Sequence, residues 1–81
     1  MNPRVKNVKF KPPHNLVITF SNDEIKIFNL IHYLQYPVYE RLRDPIFCKK
    51  VKAYMGTVAW DEKIDFDPDT LYLESETFAE K

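Results

Sequence analysis

Trp60-Asp61-Glu62-Lys63-Ile64-Asp65-Phe66-Asp67-Pro68-Asp69-Thr70-Leu71-Tyr72 packs four local signals into one run. Val58 and Trp60 alternate as the end of a strand. Asp61-Glu62-Lys63 supplies a turn, and Ile64 to Phe66 reads as a second, shorter strand. Asp67-Pro68 then reads as a helix start: the carboxylate caps an orphan N–H of the first turn, and proline has no N–H there to lose. The helical turn that follows returns Leu71 to the core. Strand, turn, strand and capped helix in close succession point to an α+β chain. The run also carries the single tryptophan, whose first reading is core with an indole N–H in need of an acceptor.

Moving outward, Asp44-Pro45 repeats the cap-and-proline signal and predicts a turn of helix over 45–49. Val51 and Ala53 alternate with lysines as a fourth strand. Met55-Gly56 makes the turn into a fifth strand, Thr57 to Trp60, with Gly56 taking the positive φ. Farther back, Leu30, Leu34, Val38 and Leu42 recur every four residues. Pro37 interrupts this stripe, so the expectation is a short helix over 30–36 and an irregular segment after it.

The N-terminal third reads as strands. Val8 and Phe10 alternate with Lys9 and Lys11, and Val5 is out of phase, which predicts a bulge near Asn7. Pro12-Pro13 ends the strand. Leu16, Ile18 and Phe20 share one face of a second strand. Ser21-Asn22-Asp23 is turn chemistry, and Glu24 to Phe28 is a third strand with Ile25 and Ile27 expected inward. The predicted fold class is therefore α+β: a small antiparallel sheet of four to six strands, built from hairpins, with short helices around 30–36, 45–49 and 68–72. Residues 1–73 read as one domain and 74–81 as an acidic tail that frays.

Composition narrows the function classes. A domain of 81 residues buries only about 60–65% of its unfolded surface, so dimerisation is a natural source of added stability. One glycine argues against phosphate-cradling loops. One cysteine excludes an intrachain disulfide and fits a reducing cytoplasm. No apolar run has the length of a membrane span. Net charge is zero, yet residues 1–52 carry +6 and residues 61–81 carry −6. Either the acidic end lies across the basic part, or two faces of opposite sign exist and one meets a partner.

No motif for chemistry emerges. Asp65, Asp67, Asp69 and Glu76 fall at the first, third, fifth and twelfth positions of a calcium loop. Thr70 stands where that loop needs glycine, and Pro68 sits inside it. A strand end followed by a cap explains the same residues. Cys48 with His14 or His32 lacks any flanking nucleophile signature and reads as a buried thiol. One Cys and two distant His do not make a zinc site. The expectation is therefore no enzyme, no metal and no cofactor. A partner surface is expected on Tyr33, Tyr36, Tyr39, Arg41 and Arg43, since aromatic and arginine side chains anchor interfaces. The alternative is nucleic acid held by Lys6, Lys9, Lys11, Lys49, Lys50 and Lys52, against which stands a pI of about 6.7.

Asn2-Pro3-Arg4-Val5, Leu16-Val17-Ile18-Thr19-Phe20 with Glu24 beyond the turn, Leu42-Arg43-Asp44-Pro45-Ile46-Phe47, and Val58-Ala59-Trp60 followed by Ile64 to Tyr72 resemble the bacterial domain-of-unknown-function family 2442. The likeness spans nearly the whole chain and is most specific from Trp60 to Tyr72. It implies a small α+β domain with no catalytic residues to transfer. It also implies an interaction or regulatory role. Some members are linked to separate helix-turn-helix DNA-binding domains, and others are encoded beside a small partner protein in arrangements resembling toxin–antitoxin pairs. Asn22-Asp23 stands where members often have glycine, and Asp61-Glu62-Lys63 where they often have Pro-Asn-Gly, so both turns are expected to be built differently.

Overall fold

The computed structural model describes residues 2–60 and 64–77. Strand β1, Val5–Lys11, pairs antiparallel with β2, Asn15–Phe20, and β2 with β3, Ile25–Asn29. The register slips between Val5 and Asn7, which leaves Lys6 as the extra residue and is the expected bulge. Leu16, Ile18 and Phe20 are fully buried on one face of β2. The β2–β3 turn finds its left-handed residue without glycine: Asp23 has φ 70°, and the Asn22 Oδ1 accepts the Glu24 N–H at 3.1 Å. Asn and Asp tolerate this region because their short polar side chains bond the local backbone.

That turn sets the register, and the register corrects the expected face of β3. Ile18 pairs with Lys26 and Leu16 with Phe28, so Lys26 and Phe28 share the inner face while Ile25 and Ile27 point outward. Phe28 is buried and Ile25 is exposed. Lys26 is accommodated inside because its Nζ donates to the Tyr72 carbonyl at 2.7 Å and lies 3.9 Å over the Tyr72 ring.

The helix expected over 30–36 is instead a chain of tight turns, with N–H bonds from Tyr33 to the Leu30 carbonyl and from Tyr36 to Tyr33. Regular helix begins after the proline. A 3-10 helix runs over Pro37–Arg43 with Pro37 in its first turn and Tyr36 extended before it, as a residue preceding proline prefers. Leu30, Leu34 and Leu42 of the expected stripe are buried, and Val38 is exposed.

Both Asp-Pro starts form as read. Helix α1, Pro45–Cys48, is capped by Asp44, whose carboxylate accepts the Ile46 N–H at 3.0 Å. Helix α2, Pro68–Glu74, is capped by Asp67, which accepts the Thr70 N–H at 3.1 Å. Between them β4, Lys52–Tyr54, and β5, Thr57–Ala59, form a hairpin. Met55 and Gly56 both have positive φ at its turn, the primed geometry that matches strand twist. The hairpin docks on β1, where the Val5 N–H meets the Gly56 carbonyl at 2.9 Å. The strand expected at 64–66 reduces to one bridge, Ala59 to Asp65. The turn expected at 61–63 lies outside the described residues.

The sixth strand is β6, Glu76–Thr77, on the free side of β3, giving the order β1-β2-β3-β6. Residues read as the start of the tail thus belong to the sheet; 78–81 lie outside the described residues. Trp60 is buried and its indole N–H donates to the Cys48 carbonyl at 2.9 Å. Among the described residues, no buried side-chain nitrogen or oxygen lacks a partner, as a native core requires.

Candidate functional site

The aromatic residues of 33–39 divide into two kinds. Tyr33 packs edge-on to Phe66 at 5.1 Å and lies 5.5 Å from Phe28, and Tyr39 stacks flat on Phe66 at 4.8 Å. Both extend the core cluster. The Tyr33 hydroxyl donates to the Glu74 carboxylate, tying the turn segment to the end of α2. Burial, and then that carboxylate, push the Tyr33 hydroxyl up to about 12. Burial also raises Tyr39, with Asp65 adding to the effect. Arg43 closes the segment from below: its Nε and Nη2 donate to the Leu34 carbonyl at 3.1 and 2.9 Å. Arg41 lies 4.1 Å over the Phe47 ring. Tyr36 alone of the three tyrosines is half exposed, at 50%.

Tyr36 stands at the mouth of a cleft of about 570 Å³. Its floor is the end of β3, Ile27 to Asn29, together with Asn15. One wall is the turn segment, His32, Tyr33, Gln35 and Tyr36, and the other is Glu74 and Glu76. A chain of 81 residues leaves little room for a pocket. The cleft exists because β6 pairs only with Lys26 and Ile27. Among the described residues, Phe28 and Asn29 therefore have no strand neighbour on that side. Ile31 and Val38, near Tyr36 in the chain, are also exposed. On the other side of Tyr36 a shallower depression of about 290 Å³ is lined by Leu34, Pro37, Glu40 and Arg43.

Ile27, Asn29 and Glu74 were not legible as site residues, and His32 and Glu76 entered the sequence reading only through a thiol–imidazole pair and a calcium loop, not through this cleft. Tyr33 and Glu74 meet across 41 positions of sequence, and no local pattern announces such a meeting. The usable signal was weak: an acidic pair, Glu74 and Glu76, flanking a helix end.

The other candidates are placed as follows. Cys48 is buried, and burial pushes its thiol up to about 11, so it stays protonated at neutral pH. His14 sits in the turn before β2, where its carbonyl accepts the Leu30 N–H at 2.8 Å; His32 lines the cleft. Asp67 is occupied with its cap, Asp69 accepts from the Asn2 side chain at 3.4 Å, and Glu76 lies on β6. Among the described residues, no three His, Cys, Asp or Glu side chains gather where a metal could sit. Of the lysines, Lys6 pairs with Asp23 at 3.0 Å. Lys9 and Lys11 lie on β1, Lys49 and Lys50 follow α1, and Lys52 lies on β4 with its Nζ 5.9 Å from the Tyr54 ring. No helix among the described residues is long and apolar enough to cross a membrane.

No curated protein and no solved structure matches the chain. The family model described as Protein of unknown function (DUF2442) matches residues 5–77, from the first residue of β1 to the last of β6, and the chain belongs to that family.

Proposed function

We propose that this chain is a non-enzymatic interaction domain. In this reading its cleft takes a short extended segment of another small protein, in a regulatory or antitoxin-like pairing. One observation carries the reading: the cleft joins a half-exposed tyrosine, a stretch of strand edge unpaired among the described residues, and two carboxylates within one concavity. An extended segment adds to a strand edge through main-chain hydrogen bonds, while neighbouring side chains confer selectivity. Tyr36 supplies a rigid aromatic contact of the kind that dominates interface energetics. Glu74 and Glu76 favour a Lys or Arg on the incoming segment and speed its encounter. The protonated, buried Cys48 thiol supports a binding role over nucleophilic chemistry.

Selection of random extended octapeptides on the immobilised chain tests this. The selected peptides are expected to be enriched in Lys and Arg, to weaken with salt, and to lose about tenfold or more in affinity with Tyr36→Ala, as an aromatic hot spot does. Peptides without basic enrichment, or with affinity unmoved by Tyr36→Ala and His32→Ala, would remove the cleft from consideration.

A further inference from the structure

Lys9, Val17, Ile27 and Glu76 are paired side by side across β1, β2, β3 and β6. Directly paired residues of antiparallel strands project to the same face. Leu16, Ile18 and Phe28 occupy the inner face, so this row lies on the outer one. It reads positive, apolar, apolar, negative. The next row holds Asn7, Thr19 and Ile25, and Ile25 is 43% exposed. Val17, Thr19, Ile25 and Ile27 take no part in the core cluster. The fold is 18 Å through its thinnest direction, enough for this sheet and one layer packed on its inner side. An antiparallel sheet tolerates such an open face when it is polar, but the middle of this one is apolar.

We infer that a second copy of this chain covers the outer face, related by a twofold axis running along the strands. That axis reverses the strand order, so β1 of one copy lies over β6 of the other. Lys9 then meets the partner copy's Glu76, Val17 meets Ile27, and both contacts occur twice, as a twofold interface requires. A twofold axis across the strands would instead set lysine on lysine and glutamate on glutamate. The charge order of the row selects the first arrangement. Sheets stacked this way keep their strands within about 30° of alignment. The face measures roughly 20 by 15 Å at ordinary strand rise and spacing. That is roughly 300 Å² per copy, below what a stable specific interface buries, so the dimer is weak and forms only as concentration rises.

Sedimentation of the full chain over concentrations up to about 1 mM, the weak end of specific association, tests the arrangement. Wild-type mass is expected to rise from 9.7 kDa toward twice that value. Lys9→Glu alone and Glu76→Lys alone each set like charges opposed and should raise the dissociation constant about tenfold or more. An equimolar mixture of the two variants should dimerise again, because every opposed pair in the mixed dimer has opposite charge. Lys49→Glu mixed with Glu40→Lys carries the same charge changes off this face and should behave as wild type, alone or mixed. A wild type that stays monomeric overturns the inference, as does a dimer unmoved by either reversal or a mixture that fails to recover. Lys9 lies outside the cleft, and Tyr36 lies outside the row. Lys9→Glu therefore reports on the dimer, and Tyr36→Ala on peptide binding.

Discussion

Ile27 and Phe28 are neighbours in the chain and opposites in the fold. Phe28 faces inward, 1% exposed, with its ring 5.3 Å from Phe66 and 5.5 Å from Tyr33. Ile27 faces outward, paired with Val17 and Glu76, and belongs to no packed layer. The inner face is a complete core in which aromatic rings interlock and every described buried polar side-chain atom has a partner. The outer face carries Val17, Thr19, Ile25 and Ile27, which take no part in that core, and the cleft beside it is lined by Ile27, Glu74 and Glu76. If the outer face and the cleft bind as proposed, stability and recognition fall on opposite sides of the same strands.

The sharpest way to break this contrast is to truncate the two neighbours separately. Phe28→Ala removes a fully packed ring and should cost about 3–5 kcal/mol, a large part of what so small a domain has. Ile27→Ala should cost about 1 kcal/mol or less in dilute monomer, since little surrounds it to collapse or leave void. Urea unfolding monitored by tryptophan fluorescence measures both. Equal losses would mean that the outer face is as tightly packed as the inner one.

The same pair shows where sequence reading succeeds and where it stops. Leu16, Ile18 and Phe20 were legible because strict alternation on a half-buried strand has one solution. Ile25 and Ile27 alternate just as well, yet they face outward, because the turn through Asp23 fixes the pairing of Thr19 with Ile25 and so the face. Hydropathy alone prefers two isoleucines inside over a lysine. It has no means of knowing that the Tyr72 carbonyl and ring await Lys26. The two Asp-Pro starts were legible because cap chemistry is local. Family membership was legible from the run ending in Tyr72 for the same reason. The stripe from Leu30 to Leu42 correctly marked three buried leucines but not the turns and 3-10 helix that present them. Strand β6 has two residues, too few for any period. The cleft was invisible because its walls come from segments some forty residues apart.

At the border between packed and open regions stands the Tyr33 hydroxyl, and alkaline pH probes it. Its folded-state pKa, about 12, lies above the ordinary value of 10. The folded chain therefore holds this proton more tightly than the unfolded chain does. The associated stability is fully present below pH 10 and is lost as pH rises from 10 toward 12. Tyr33→Phe keeps the ring contacts and removes the titration, so its unfolding midpoint should fall less steeply over that interval. Tyr39 and Tyr72 are raised as well and leave a residual slope. Parallel curves for wild type and variant would show that Tyr33 is not the point where the aromatic layer meets the Glu74 carboxylate.

The smallest effect is expected on the outer face itself. Val17→Thr keeps the β-branch that strands favour and replaces one methyl by a hydroxyl. In dilute solution, where the chain is monomeric, water already reaches this position, so unfolding free energy should stay within about 0.5 kcal/mol of wild type. At high concentration the two should separate. Dimerisation stabilises the native state by mass action, and a hydroxyl opposite the partner copy's Ile27 weakens that linkage. A wild-type midpoint that climbs with concentration, beside a Val17→Thr midpoint that climbs less, would show the unused face acquiring its second layer. A difference already present at the lowest concentration would instead place Val17 within the stability of the single chain and erase the division between the two faces.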